Sequence, residues 1–145
     1  MRGEILAPAA VLVLWTLVML GWLGLTRIPA LGGVNGLGKV PPGARGQDAE
    51  AALPARINWK SHNYTHLTEQ PTLFYATIMI LALMGAERID VVLAWAYVAL
   101  RVAHSLWQAL INRIPVRFAL FNLYTGCLVV LAVRAAADCF AAMGR

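Results

Sequence analysis

The sequence predicts an all-α integral membrane protein, a bundle of four membrane-spanning helices, and three observations carry that prediction. Of its 145 residues 60% are hydrophobic and only 13% charged, against roughly 45–50% and about 25% in a soluble domain. Too few charges remain to cover a globular surface of this size. Those charges are also bunched, so that Ile5 to Leu25 is a run of 21 residues without Asp, Glu, Lys or Arg. About 20 helical residues at 1.5 Å each cross the roughly 30 Å hydrocarbon layer. Three further apolar segments of spanning length follow, at about Leu67–Ala86, Val91–Ile111 and Val116–Ala137. With their flanks, helices are expected over about residues 5–27, 62–86, 90–111 and 116–138 of a single membrane domain, 1–145.

The first segment follows Met1-Arg2, as a signal peptide would. Its apolar part exceeds the usual 7–15 residues and no small-x-small cleavage site follows, so a retained helix is expected. Next comes the one real linker, Pro29 to Lys60, with six Gly and four Pro in 32 residues, a density expected to forbid a long regular element. Glu87-Arg88-Ile89-Asp90 joins the second and third helices and Asn112-Arg113-Ile114-Pro115 the third and fourth. Links this short make antiparallel neighbours, and Pro115 suits the opening turn of a helix. Cys127 and Cys139 lie in or beside an apolar stretch and indicate neither a disulfide framework nor a metal site.

The net charge of +5 is spread along membrane flanks, which argues against a nucleic-acid partner. Arg27, Lys39, Arg45, Arg56, Lys60, Arg113 and Arg117 fall on the side of the loops after the first and third helices, against Arg2, Arg88, Arg134 and Arg145 on the other. Loops on the cytoplasmic side hold the excess of Lys and Arg, so both termini are expected outside the cytoplasm. Trp22, Trp59 and Trp107 fall near the expected cytoplasmic interface, where amphipathic indoles collect.

Arg101 is the eleventh of the 21 residues from Val91 to Ile111, near the bilayer centre. A lone charge there costs at least about 2.5 kcal/mol, so it should face the bundle interior and find a partner. His104 and Gln108 follow at i+3 and i+7, one polar stripe in an apolar helix. His62, His66 and Glu69 make a matching stripe on the second helix, followed by Pro71, which deprives the Leu67 carbonyl of its helical donor. Glu69 lies level with Gln108 and roughly 10 Å above Arg101, with His104 between them. Arg117, Phe121 and Tyr124 form a third stripe. Each has a plainer reading. Arg101 with Glu69 reads equally as a structural pair that fixes packing, His62 and His66 as hydrated interfacial residues lacking a third metal ligand, and Arg113 as a positive flank. Arg134 and Asp138, four apart, read as a snorkelling pair, and Tyr97 and Tyr124 as packing.

The runs Glu69-Gln70-Pro71-Thr72-Leu73-Phe74-Tyr75, Arg101-Val102-Ala103-His104 and Arg113-Ile114-Pro115-Val116-Arg117, in this order and spacing, resemble the MAPEG family, the membrane-associated proteins of eicosanoid and glutathione metabolism. The resemblance covers about residues 60–137 well, and its second-helix wording is closer to bacterial members. It implies a homotrimer in membrane lipid, here the bacterial inner membrane, with glutathione as co-substrate in a cleft between subunits that opens to the cytoplasm. Arg117 matches the residue that stabilises the glutathione thiolate, and His66, Glu69, Arg101, His104, Gln108 and Arg113 match positions in or beneath the binding site. His66 stands where the mammalian pattern has Asn, Gln108 where it has Tyr, and Phe121 at a position where a hydroxyl often occurs. His62 and Thr65 replace an Arg-rich stretch that grips the glutathione carboxylates.

Three function classes remain open. One is a glutathione-dependent transferase or peroxidase acting on a lipophilic electrophile or lipid hydroperoxide. A second is a non-catalytic membrane scaffold or lipid-binding trimer, and the third a small proton or solute transporter in which Glu69, His104 and Arg101 form a relay.

Overall fold

The computed structural model describes residues 2–34 and 42–144. Among the described residues five α-helices make up the bundle: α1 (Arg2–Val34), α2 (Ala55–Glu69), α3 (Pro71–Met84), α4 (Arg88–Leu110) and α5 (Ile114–Met143), with a short 3-10 helix at Gly46–Ala52 between α1 and α2. Because α2 and α3 continue one another, the segments long and apolar enough to cross a membrane number four among the described residues: Gly3–Gly32, Ala55–Met84, Arg88–Leu110 and Ile114–Met143.

The largest departures from expectation are at two ends, while α5 also runs five residues past 138 to Met143. Helix α1 runs past Arg27 and through Pro29 to Val34, and α2 begins at Ala55 rather than near residue 62. A proline removes only one helical bond, here to the Leu25 carbonyl. An apolar segment in lipid has strong reason to keep the rest, since no water is there to replace them. The breaker-rich stretch is correspondingly shorter than 29–60, and Lys39 lies outside the described residues. The approach to α2 and its first turns are tied down by side chains. Arg27 donates to the Ser61 hydroxyl at 2.6 Å and to the Gly46 carbonyl, Asn58 to the Glu50 carbonyl at 2.8 Å, and His62 Nε2 lies 3.0 Å from the Glu50 carboxylate. Lys60 sits 5.2 Å from the Trp22 ring centroid.

The turns are explained locally. Gly85 ends α3 at φ 107°, a conformation that suits glycine. Asn112, between α4 and α5, stands at φ 58°, which Asn tolerates better than most residues. Pro115 occupies the first turn of α5, as expected.

Helix α4 is the centre of the bundle, packing against α1, α2 and α5, while α3 packs on α1 and α5. The core runs through Ile5, Leu12 and Met19 of α1, Leu67 of α2, Phe74, Ile78 and Leu81 of α3, Ala94 and Tyr97 of α4, and Tyr124, Leu128 and Leu131 of α5. Most of the remaining apolar side chains of α1 and α5 point outward, as they should toward lipid or a neighbouring subunit. Phe74 stacks on Tyr97 with ring centroids 4.2 Å apart, and Tyr97 meets Tyr124 edge-on at 5.7 Å. This aromatic run forms the floor beneath the polar end of the bundle.

Candidate functional site

The buried face of α4 carries Asp90, Tyr97, Arg101, His104, Ser105 and Gln108. A helix this polar on its inward side needs partners for each group. Arg101, 1% exposed, finds neutral ones. Its Nη1 donates to the Tyr124 hydroxyl at 2.5 Å, its Nη2 donates to the His66 carbonyl, and the His104 Nδ1 lies 3.4 Å from Nη1. The guanidinium carbon also sits 4.8 Å from the Tyr124 ring centroid, a cation–π contact. No carboxylate of the described residues comes within 4.0 Å of it. The pairing of Arg101 with Glu69 is therefore not what the chain makes. Glu69 is bound instead to the His66 ring, Oε2 to Nδ1 3.2 Å, with its side chain 60% exposed.

A backbone carbonyl near the α2–α3 junction takes the charge. Gln70, between α2 and α3, keeps helical dihedrals, and its Nε2 anchors the junction by donating to the Thr125 hydroxyl at 2.9 Å. Sequence reasoning expected a freed carbonyl at Leu67. The one that accepts from Arg101 belongs to His66, one residue earlier.

Above this layer a cleft of about 330 Å³ opens between α2, α4 and α5, lined by His66, His104, Ile114, Arg117, Phe118, Phe121 and Tyr124. Its outer wall is apolar and open, with Ile114 74%, Phe118 67% and Phe121 42% exposed. Arg117 is the cation on the cleft. Its Nη1 donates to Asn112 Oδ1 at 2.7 Å, so the turn residue that bends α4 into α5 also fixes the guanidinium. Its buried Nε has no partner among the described residues. A fixed cation, two imidazoles and an apolar wall make a place for an anion joined to, or reacting with, an apolar group.

Of the residues singled out from the sequence, Arg117, His66 and His104 meet at the cleft, with Arg101 buried behind Tyr124. Glu69 reaches the site only through His66. Gln108 is buried, and its Oε1 lacks a partner among the described residues. Arg113 is exposed at the start of α5, where its carbonyl accepts from the Trp107 indole at 3.3 Å. Neither Gln108 nor Arg113 lines the cleft.

Some working groups escaped the sequence reading. Tyr124 was expected only to pack, yet its hydroxyl is the closest side-chain partner of the buried charge. The signal was its place seven residues after Arg117, on the same stripe. Ser105 receives both the Trp15 indole N–H at 3.0 Å and Asn63 Nδ2 at 2.8 Å, joining α1, α2 and α4 through one hydroxyl. At the other end of the bundle Arg134 binds Asp90 at 2.5 Å and Glu87 at 2.7 Å. Its expected partner Asp138 is displaced, because Asp90, 0% exposed, faces α5 and needs a cation more than a hydrated carboxylate does.

Residues 5–137 match the model of the MAPEG family. No curated protein and no solved structure matches the chain. Nearly the whole bundle lies inside the matched range, including the second and third apolar crossings, most of the first and fourth, the Arg101 layer and every residue of the cleft above it, and the chain belongs to the MAPEG family.

Proposed function

We propose that this membrane protein is a glutathione-dependent transferase or peroxidase whose acceptor, a lipophilic electrophile or lipid hydroperoxide, arrives from the bilayer. One observation carries the reading: Arg117, held by Asn112 and with Nε unpaired, stands in a cleft whose open wall is apolar. A thiol with a pKa near 8.5 is mostly protonated at neutral pH, and an adjacent guanidinium favours its thiolate. In the transferase reaction the thiolate sulfur bonds to an electrophilic carbon, and the electron pair displaced there leaves with the leaving group or takes up a proton. In the peroxidase reaction it attacks the outer peroxide oxygen, the alkoxide takes a proton, and a second thiol releases the disulfide and water.

Each residue is given a part. Arg117 stabilises the thiolate. His66 and His104 contact the bound tripeptide, Glu69 orients the His66 ring, and Arg101 underlies both imidazoles. Arg113 belongs to the margin, reached through a neighbouring protomer of a homotrimer, while the buried Gln108 lies behind the site. The cleft is assigned to the cytoplasmic side, both termini to the other, where a soluble thiol need not cross hydrocarbon.

The test is ultraviolet difference absorbance of the thiolate when glutathione is added to the purified protein, with the particle mass measured in mild detergent. A thiolate band on a three-copy particle supports the reading. No band in the wild type selects the alternative of a non-catalytic, lipid-binding scaffold, which draws support from the capture of Arg101 by groups of the protein itself.

A further inference from the structure

At the end of the bundle remote from Arg117, a separate cleft of about 400 Å³ lies between α1 and α4, lined by Glu4, Ala7, Arg88, Val91, Val92 and Trp95. Its α4 wall is a single stripe, since Arg88, Val91, Val92 and Trp95 stand at i, i+3, i+4 and i+7. The stripe descends from a charge at the membrane surface to an indole about 10 Å deeper. Val92 is 56% and Trp95 43% exposed, so an apolar track faces outward directly below the charged rim.

The two charges at the rim are the telling feature. Glu4 and Arg88 face one cleft, yet they do not come within 4.0 Å of each other, and neither makes an ion pair with another described residue. The carboxylates adjacent to Arg88 are already engaged, for Glu87 and Asp90 both bind Arg134. Arg88 opens α4, where the positive pole of the helix disfavours a cation. A guanidinium so placed, with its sequence neighbours taken, is improved by an external anion. Arginine matches phosphate oxygens in a fork of parallel hydrogen bonds. Glu4, across the same cleft, matches a cation that carries N–H donors.

We propose that this cleft binds an aminophospholipid of the phosphatidylethanolamine type. Arg88 holds the phosphate, Glu4 accepts from the primary ammonium, and one acyl chain lies along Val91, Val92 and Trp95. The charge order distinguishes this ligand from its competitors. A phosphatidylglycerol offers Glu4 no cation, and the quaternary ammonium of a phosphatidylcholine offers it no N–H. The assignment is independent of the thiol chemistry at the opposite end.

The experiment is native mass spectrometry of the full-length protein in mild detergent, titrated in turn with dioleoyl phosphatidylethanolamine, phosphatidylcholine and phosphatidylglycerol. Wild type should hold the ethanolamine lipid about tenfold more tightly than the choline lipid, the value of one charge-assisted hydrogen bond. Glu4→Gln should abolish that preference while retaining binding at the choline level, and Arg88→Gln should weaken all three lipids. Equal retention of the ethanolamine and choline lipids by wild type would overturn the proposal, as would a preference that survives Glu4→Gln. So would an equal fall in lipid-free thermal stability of both variants with lipid retention unchanged, the mark of a direct Glu4–Arg88 pair.

Discussion

Tyr124→Phe isolates the partnership that lets a guanidinium stay inside the bundle. The substitution keeps the ring, and with it the contact 4.8 Å from the Arg101 guanidinium carbon, but deletes the acceptor of the 2.5 Å bond from Nη1. The nearest remaining partner of that nitrogen is His104 Nδ1 at 3.4 Å. A hydrogen bond to a charged group contributes about 1.5–3 kcal/mol, so a loss of about 2 kcal/mol is expected. The double variant Tyr124→Phe/Arg101→Met then removes the charge. That relieves at least about 2.5 kcal/mol of midplane desolvation and leaves chiefly the His66 carbonyl unpaired, at about 1–3 kcal/mol. The two terms nearly cancel, so the double variant should lie within about 1 kcal/mol of the single one. Reversible unfolding in mixed micelles, followed by circular dichroism, measures the difference. A double variant less stable than Tyr124→Phe by about 3 kcal/mol or more, the cost of breaking a buried ion pair, would refute the reasoning, because it would mean that Arg101 draws on an anion outside its own protomer.

Other consequences can be checked with similar means. Arg117→Leu should lose the thiolate band while the particle mass is unchanged, and Arg113→Leu should keep the band; the reverse pattern would move the role to Arg113. Asn112→Gly preserves the left-handed turn but releases the Arg117 guanidinium, so it should weaken the band with little change in stability, whereas an unaltered band would show that Arg117 needs no fixing. Arg134→Gln leaves the buried Asp90 carboxylate with only its backbone donor, the Glu87 N–H, and should cost about 2–3 kcal/mol after allowance for the partial exposure of Arg134; unfolding indistinguishable from wild type would contradict that. A cysteine placed at Gln47, with Cys127 and Cys139 replaced, should react with an impermeant maleimide only after the cytoplasmic face is opened, and labelling of intact cells would reverse the orientation.

The crossings were legible because charge-free length is a one-dimensional property, and the stripe of Arg101, His104 and Gln108 because helical period converts spacing into a face. Spacing carries no information on the rotation of one helix against another. Glu69 and Arg101 are a natural pair by charge, but the His66 backbone stands nearer to the guanidinium than the Glu69 carboxylate does, and a carbonyl leaves no mark in the residue type. The same limit explains Arg134. Its i+4 neighbour Asp138 is visible in the sequence, whereas the buried Asp90, 44 residues away, wins only once α4 and α5 are packed. Tyr124 was hidden differently, since an aromatic residue on an inward stripe is usually packing. The node at Ser105 depends on three helices at once and has no sequence signature.

Within the single crossing formed by α2 and α3, Pro71 brings no backbone N–H, so the last turn of α2 keeps a carbonyl without its helical donor in the interior. The carbonyl of His66, three residues before the last residue of α2, lies in that turn and offers Arg101 the partial negative charge of a peptide oxygen. Arg101 is thus compensated only in part, and by a backbone dipole that cannot be protonated, removed by a side-chain substitution or drawn away by salt. A carboxylate in that place would have closed the balance and repelled any anion entering from above. The half-filled balance leaves positive charge beneath the two imidazoles, an arrangement that favours an anion over a cation at the base of the cleft.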